Sequence, residues 1–148
     1  MAEVPAGLPK WIADHVELYL TDPEKAHLWD ASLGGGKGKI PTLLLEMTGR
    51  KSGEKRMLPL IYKKVGDAFV IIASKGGAPA HPSWYLNLKA NPECEIRVGK
   101  DRFKVRARDA EGAEREKLWD ELVDVYAPYT QYQERTQRQI PVVVLDPV

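Results

Sequence analysis

The segment KRMLPLIYKKVGDAFVIIAS, residues 55–74, decides the fold class of this 148-residue chain. Its two runs, Lys55 to Val65 and Ala68 to Ser74, are rich in apolar and β-branched residues and are separated by the short turn Gly66-Asp67. Apolar runs of this length on either side of a compact glycine turn are typical of a β-hairpin. The run before them, Thr42 to Thr48, has the same character, so the three runs predict an antiparallel meander.

Three further runs in the second half of the chain extend this sheet. Glu93 to Val98 and Arg102 to Asp109 flank a turn at Gly99, and Ile140 to Leu145 is a final apolar run. In Arg102 to Asp109, apolar side chains alternate with charged ones, as in a sheet with one solvent-exposed face. Because helices do not separate the six strand candidates regularly, the pattern predicts an α+β protein, mainly β. The expected architecture is a small antiparallel barrel decorated by helices, and the pattern argues against a Rossmann fold.

The remaining periodicity is helical. Trp11, Val16 and Leu20 belong to the apolar stripe of an N-terminal helix, and Asp22-Pro23 has the form of a helix start. Further helices are predicted over residues 23–31, 82–90, 111–127 and 129–137. Four glycines between Gly34 and Gly38 predict a flexible linker, because a phosphate-binding loop would follow a strand and precede a helix. We therefore expect one domain, with an N-terminal helical segment and linker at 1–36 and the barrel at 37–148.

Composition and charge exclude several classes of protein. The formal net charge of +1 gives no general attraction to nucleic acid. The three histidines lack a metal-ligand spacing, so no metal is expected, and the lone Cys94 cannot form an internal disulfide. No apolar run is long enough to span a membrane and no signal peptide is recognised, so we expect a cytoplasmic protein. The stripe from Trp11 to Leu20 leaves peripheral contact with the inner face of the membrane as the alternative to packing on the barrel.

The densest group of charges lies in Thr48 to Arg56. Four cations and two glycines fall in this short connection between strands. Glycines let the backbone turn sharply, and arginine grips a phosphate or carboxylate with paired hydrogen bonds. The segment therefore predicts an anion site, and the competing interpretation is a solvent-exposed hairpin tip.

Two aromatic groups are further candidates. The small residues of Ala73 to Pro79 end a strand and would let a flat ring lie against the backbone. The helix after them carries Trp84 and Asn87 on one face, where Trp84 either covers such a ring or packs in the core. Tyr126, Tyr129 and Tyr132 recur at helical spacing and form either the wall of a pocket or a packing face.

Three ordered motifs together identify a resemblance to a known family. They are Gly49-Arg50-Lys51-Ser52-Gly53 with Arg56 and Pro59, then Ala73 to Pro79, then His81-Pro82-Ser83-Trp84 and onward to Pro92. In order and spacing they resemble the deazaflavin-dependent nitroreductases, actinobacterial enzymes that use coenzyme F-420, an 8-hydroxy-5-deazaflavin. The resemblance runs from roughly Ile40 to Pro147. It implies a split β-barrel of the FMN-binding type.

The resemblance also implies a role for each motif. The coenzyme's phosphate and acidic tail would be bound by Arg50, Lys51, Ser52, Lys55 and Arg56. The strand beside the coenzyme would be Met57, Leu58, Pro59 and Leu60, and the strand end beneath its ring would be Ile72, Ala73, Ser74 and Lys75. The helix start that closes over the ring would be Ser83, Trp84, Tyr85, Leu86 and Asn87. The acceptor side would be lined by Tyr126, Tyr129 and Tyr132, with Ser74, Tyr129 or Tyr132 as the residue that orients or protonates the acceptor.

The implied activity is hydride transfer from the reduced deazaflavin to an electron-poor acceptor such as a quinone, a nitro compound or a conjugated enone. The protein would supply position, a dry pocket and a proton source. Two alternatives remain: an FMN-dependent split-barrel oxidoreductase, because one fold hosts both cofactors, and a non-catalytic F-420 carrier. The basic turn favours the deazaflavin, whose tail carries several carboxylates. The sequence leaves the natural acceptor and the oligomeric state open.

Overall fold

The computed structural model describes residues 9–148, so the first eight residues of the expected N-terminal segment lie outside it. The helices are α1 (Lys10–Thr21), α2 (Pro23–Ala26), α3 (Ser83–Ala90), α4 (Gly112–Val125) and α5 (Pro128–Glu134). The strands are β1 (Leu28–Asp30), β2 (Lys39–Thr48), β3 (Lys55–Ile61), β4 (Lys63–Val65), β5 (Ala68–Ile72), β6 (Glu93–Val98), β7 (Asp101–Asp109) and β8 (Val142–Pro147). Short 3₁₀ helices occupy Ala31–Gly34 and Lys75–Gly77.

The strands form one curled antiparallel sheet. Its order is β1-β2-β6-β7-β8-β5-β4, and β3 pairs with β2 outside that path. Residues of β2 therefore have partners on two sides; Leu45, for example, lies opposite Leu58 of β3 and Ile96 of β6. The closing pairs, β5 with β8 and β7 with β8, bring the C-terminal strand between segments distant in sequence. The mainly β, antiparallel class predicted from the sequence is confirmed.

The second helix is shorter than predicted. Asp22 begins it as predicted, because its carboxylate accepts the backbone N–H of Lys25 at 3.3 Å. The helix ends at Ala26, however, and not near Ala31. Leu28–Asp30 instead pairs with Lys39–Pro41 of β2. Pairing with a neighbouring strand therefore outweighs the weak local preference of these residues for a helix.

The glycine segment Gly34 to Gly38 is not the flexible linker that was predicted. The backbone N–H of Gly36 donates to Ala31 O at 2.8 Å, and that of Ala31 donates to Gly38 O at 2.8 Å. A Cβ atom on Gly36 would lie 3.0 Å from the ring of Tyr126. The segment is therefore a packed connection in which glycine lets the backbone reach the tyrosine ring.

The run Lys55 to Val65, predicted as one strand, forms two strands. It divides at Tyr62 into β3, which pairs with β2, and β4, which pairs with β5. Tyr62 is 7% exposed, and its hydroxyl lies 2.7 Å from Nε2 of His27. The predicted hairpin at Gly66-Asp67 is present, between β4 and β5.

The N-terminal helix α1 packs on the barrel. Val16 and Tyr19 are fully buried and cluster with Leu44 and Met57. The Tyr19 hydroxyl donates to Thr42 O at 2.6 Å and accepts the backbone N–H of Gly99 at 3.1 Å. Within residues 9–148 no helix is long and apolar enough to cross a membrane.

Candidate active site

The basic turn between β2 and β3 is exposed and internally ordered. The backbone N–H of Gly49 donates to Glu54 O at 2.8 Å, and that of Glu54 donates to the Ser52 hydroxyl at 3.1 Å. Gly53 takes a left-handed φ of 71°, which a side chain would strain. Across the turn the four cations, Arg50, Lys51, Lys55 and Arg56, outnumber the one carboxylate, Glu54. The nearest Arg56–Glu54 contact is a long 3.8 Å, so Glu54 neutralises little of this positive charge.

Helix α3 fixes the position of this turn. Asn87 is 7% exposed, and its Oδ1 accepts the backbone N–H of Arg50 at 3.1 Å and Nη1 of Arg50 at 2.9 Å. Arg50 Nη1 also lies 3.4 Å from Ser83 O, at the start of the helix. A buried amide that accepts two donors from one residue anchors the basic turn to the helix predicted to close over the coenzyme ring.

The aromatic residues of α3 are largely buried. Trp84 is 7% exposed and packs with Leu88 in the barrel core, so most of its ring contacts protein. Tyr85 is 8% exposed and donates its hydroxyl proton to Asp109 at 2.8 Å. Burial, followed by that hydrogen bond to the carboxylate, raises the pKa of Tyr85. Tyr85 is therefore a protonated structural group at neutral pH.

The end of β5 is followed by a strained turn. Lys75, Gly76 and Gly77 take left-handed φ values of 47°, 61° and 82° in succession. Lys75 is the one residue other than glycine with a positive φ among the described residues. Backbone of this kind persists where surrounding contacts fix it, and it is common at functional sites.

Helix α5 lies directly on this turn. A Cβ atom on buried Gly77 would meet Tyr132 O at 2.5 Å, so only glycine fits between the turn and the helix. The guanidinium of Arg135 reaches Gly76 O at 3.4 Å. The tyrosine group and the strand end, distant in sequence, are thereby brought together.

The three tyrosines form one cluster. Their ring centroids lie 5.0 to 6.2 Å apart, and the hydroxyls of Tyr126 and Tyr132 are 3.1 Å from each other. Tyr126 and Tyr129 are each 4% exposed, whereas Tyr132 is half-buried. Burial raises the pKa of both Tyr126 and Tyr129, so both keep their hydroxyl protons at neutral pH. Tyr132 is the member with the most open side chain.

The predicted strand residues divide between two faces. Met57 is 2% exposed and packs under α1 with Val16 and Tyr19, whereas Leu58 and Leu60 lie against the barrel core. Successive residues of a strand point to opposite faces, so the Met57 side chain cannot share a surface with its neighbours. Ile72 and Ala73 are likewise buried, which leaves backbone atoms as their means of contact with a ligand.

One residue at this location escaped the sequence analysis. Arg138 is half-buried between α5 and β8, and its guanidinium donates to Ser74 O at 2.8 Å and to Ala78 O at 2.8 Å. It also contacts Nδ1 of His81 at 3.2 Å. Since a guanidinium only donates, that imidazole nitrogen is unprotonated. The sequence carried no signal for this residue, because its partners are backbone carbonyls that the fold brings to it.

A shallow cavity of about 240 Å³ lies between α3 and β7. Tyr85, Lys89 and Asp109 are among its lining residues. The Asp109 carboxylate is already bound by Tyr85 and by Lys89 at 2.9 Å, so the cavity offers a ligand few unsatisfied groups. Among the described residues no cluster of three or more metal-ligating side chains occurs.

The fold and this arrangement define a split-barrel protein in which α3 holds a basic turn and α5 packs against the end of a strand. The particular family follows from sequence comparison. The family model of the F420H(2)-dependent quinone reductases matches residues 21–147, and the chain belongs to that family.

Individual relatives agree with this assignment. An F420H(2)-dependent quinone reductase of Mycobacterium tuberculosis is 42% identical over 149 aligned positions, which cover 93% of this chain and 97% of that protein. A solved structure of an F420-H2-dependent reductase superposes with a TM-score of 0.67 at 44% identity, covering 72% of this chain and 94% of that one. A second, described as a domain-swapped dimer, gives a TM-score of 0.69 at 38% identity over 93% of this chain and 98% of that one. The split β-barrel expected from the resemblance is thereby confirmed.

Proposed function

We propose that this protein is an F-420-dependent quinone reductase, which transfers a hydride from the reduced coenzyme to a quinone-type acceptor. Two contacts between motifs that are distant in sequence carry the proposal. Asn87 joins the basic turn to α3, and Gly77 joins the strand end to α5. Membership of the quinone reductase family supports the same activity.

The basic turn fits the coenzyme's anionic end. Arg50, Lys51 and Lys55 are exposed and Arg56 is half-buried. Carboxylates of an acidic tail would form charge-assisted hydrogen bonds with these cations. The Ser52 hydroxyl can donate its proton to an anion while its oxygen accepts the Glu54 N–H. In this proposal Met57 to Leu60 run beside the coenzyme, with backbone contacts from Met57.

The strand end fits a flat ring. Small or buried side chains at Ile72, Ala73 and Ser74 leave the backbone accessible to a planar group, and Lys75 continues that edge. The start of α3, Ser83 to Asn87, would border the ring; exposed Ser83 and half-buried Leu86 are better placed to touch it than buried Trp84 and Tyr85. The bound coenzyme supplies the hydride at C5 of the reduced deazaflavin.

The tyrosine helix would shape the acceptor side. Tyr132 has the most open side chain, and its hydroxyl lies within hydrogen-bonding distance of Tyr126. A quinone oxygen beside this pair would accept a proton or a hydrogen bond as it gains negative charge. Ser74 remains the alternative donor from the strand end, and Tyr129 would act mainly as packing behind the other two. Ene and nitro acceptors share the electron-poor character that this site would require.

The test compares F-420 with FMN. We expect F-420 to bind more tightly and its affinity to fall more steeply with added salt, because its tail can use four cations and FMN has one phosphate. Fluorescence titrations at low and high ionic strength measure the two affinities and their salt dependence. Turnover is then measured as the oxidation of reduced F-420 by a menadione-type quinone. Micromolar FMN binding without F-420 binding would support the FMN-dependent alternative, and F-420 binding without turnover would support a carrier.

A cytoplasmic location stays a prediction, to be tested by cell fractionation.

A further inference from the structure

Arg138 holds the backbone that follows β5. Its Nε donates to Ala78 O at 2.8 Å, and its Nη2 donates to Ser74 O at 2.8 Å. Its Nη1 reaches Ala73 O at 3.3 Å and Nδ1 of His81 at 3.2 Å. One guanidinium thus binds three carbonyls and an imidazole within nine residues of chain. Only the planar fork of arginine can do this, because lysine presents a single nitrogen.

These contacts fix the direction of two adjacent peptide groups. No cis peptide bond occurs among the described residues, so the C=O and N–H of each peptide group point in opposite directions. With Ala73 O and Ser74 O facing Arg138, the N–H groups of Ser74 and Lys75 face away from it. The turn's own backbone bonds use other donors, from Gly77 N–H to Ser74 O and from Ala78 N–H to Lys75 O.

We infer that Arg138 is a positioning residue that aims the N–H groups of Ser74 and Lys75 at the coenzyme ring. The inference rests on the proposed function, which sets the ring against this strand end. It also explains how a left-handed Lys75, with φ of 47°, is maintained beside two glycines, since four hydrogen bonds from one side chain restrain the turn.

The first experiment needs no coenzyme. Amide hydrogen exchange is measured on the free protein for wild type, Arg138→Gln and Arg138→Lys. Arg102→Gln serves as the charge-matched control, because Arg102 is an exposed residue paired with Glu95 on β6. We expect exchange in the peptide containing Gly77 and Ala78 to rise at least about tenfold in both Arg138 variants, with the rest of the barrel and the control unchanged. Unchanged exchange in the turn, or a rise spread over the whole barrel, overturns the inference.

The second experiment separates ring from tail. Binding is titrated with F-420 and with 8-hydroxy-5-deazariboflavin, which has the ring but neither the phosphate nor the acidic tail. Arg138→Gln should lower the affinity for both ligands by a similar factor, about tenfold, because both bind through the ring. Arg50→Ala should weaken F-420 alone. Retention of ring-ligand affinity within about twofold in Arg138→Gln contradicts the ring-positioning role.

Together, the exchange and binding experiments distinguish a failure of the proposed function from a failure of the positioning role of Arg138. If wild-type protein binds neither ligand, the proposed function fails and the ring-positioning role fails with it, while the exchange result still decides whether Arg138 orders the turn. If the wild-type protein binds both ligands and Arg138→Lys loses exchange protection and ring affinity as Arg138→Gln does, the planar guanidinium of arginine is required. Full rescue by Arg138→Lys would show that charge alone suffices and would overturn the inference.

Discussion

Asn87 accepts two hydrogen bonds from Arg50, one from its backbone N–H at 3.1 Å and one from its guanidinium at 2.9 Å. The basic turn is therefore held against α3 through Arg50, the first of its four cations. The contact restricts both the backbone and the side chain of Arg50. Coenzyme binding and the packing of α3 should consequently respond together to a change at this contact.

Replacement of Asn87 by alanine tests that link. The variant loses a buried acceptor and frees the turn, so we expect the free energy of unfolding to fall by about 1–2 kcal/mol. The affinity for F-420 should also fall, by about tenfold. Urea denaturation and fluorescence titration measure the two effects. The matched control is Asn91→Ala, which replaces an exposed asparagine at the end of the same helix. It should change neither the free energy of unfolding nor the F-420 affinity by a comparable amount.

The tyrosine cluster should control the acceptor and leave the coenzyme unaffected. Tyr132→Phe removes the hydroxyl of the less buried residue of the Tyr126–Tyr132 pair. We expect quinone turnover to fall about tenfold, equivalent to about 1.4 kcal/mol. Tyr129→Phe alters a residue that is 4% exposed and should change turnover less than about threefold. Steady-state kinetics with a menadione-type quinone and an F-420 titration are the measurements. Loss of coenzyme affinity with normal turnover at saturation would assign these tyrosines to the coenzyme instead.

Gly36 offers a test of how the N-terminal segment positions Tyr126. Gly36→Ala places a Cβ 2.9 Å from that of Ala31 and 3.0 Å from the Tyr126 ring, and overpacking of this kind costs about 1–3 kcal/mol. Gly38→Ala costs about 1–2 kcal/mol through its positive φ but meets no atom within 4 Å. Both variants should lose stability, and only Gly36→Ala should also lose quinone turnover. Equal turnover in the two variants would show that Tyr126 tolerates the displacement.

The pH dependence of stability should depend on His81. Burial and then the Arg138 guanidinium lower the pKa of His81 below its ordinary 6.5. The fold therefore favours the neutral imidazole, whose stabilising effect is complete above about pH 6.5 and is lost as the pH falls through the lowered pKa. Burial lowers the pKa of His27 as well, so some decline in stability on acidification will remain without His81. Urea unfolding between about pH 7 and about pH 5 should show a smaller decline in His81→Gln than in wild type, and equal declines would contradict the assignment.

Short-range patterns explain which predictions succeeded. The alternation in Arg102 to Asp109 and the helical period around Leu118 gave β7 and α4 to within a few residues, because each pattern is complete within one element. Leu28–Asp30 was wrongly predicted as helical, since its strand exists only through pairing with Lys39–Pro41. Arg138 was missed for a related reason: three backbone carbonyls, 60 to 65 positions away in sequence, give it its role.

Helix α1 ends where the family match begins, at residue 21, and yet its inner face packs on the barrel through Val16 and Tyr19. Its outer face is different: Lys10, Asp14 and Glu17 are exposed, and the one ion pair among them, Lys10–Asp14, links side chains already in solvent. A fluorophore, an affinity handle or a tether to a solid support attached on that face would leave the barrel and its turns untouched. The helix thus offers a way to immobilise the protein in a known orientation.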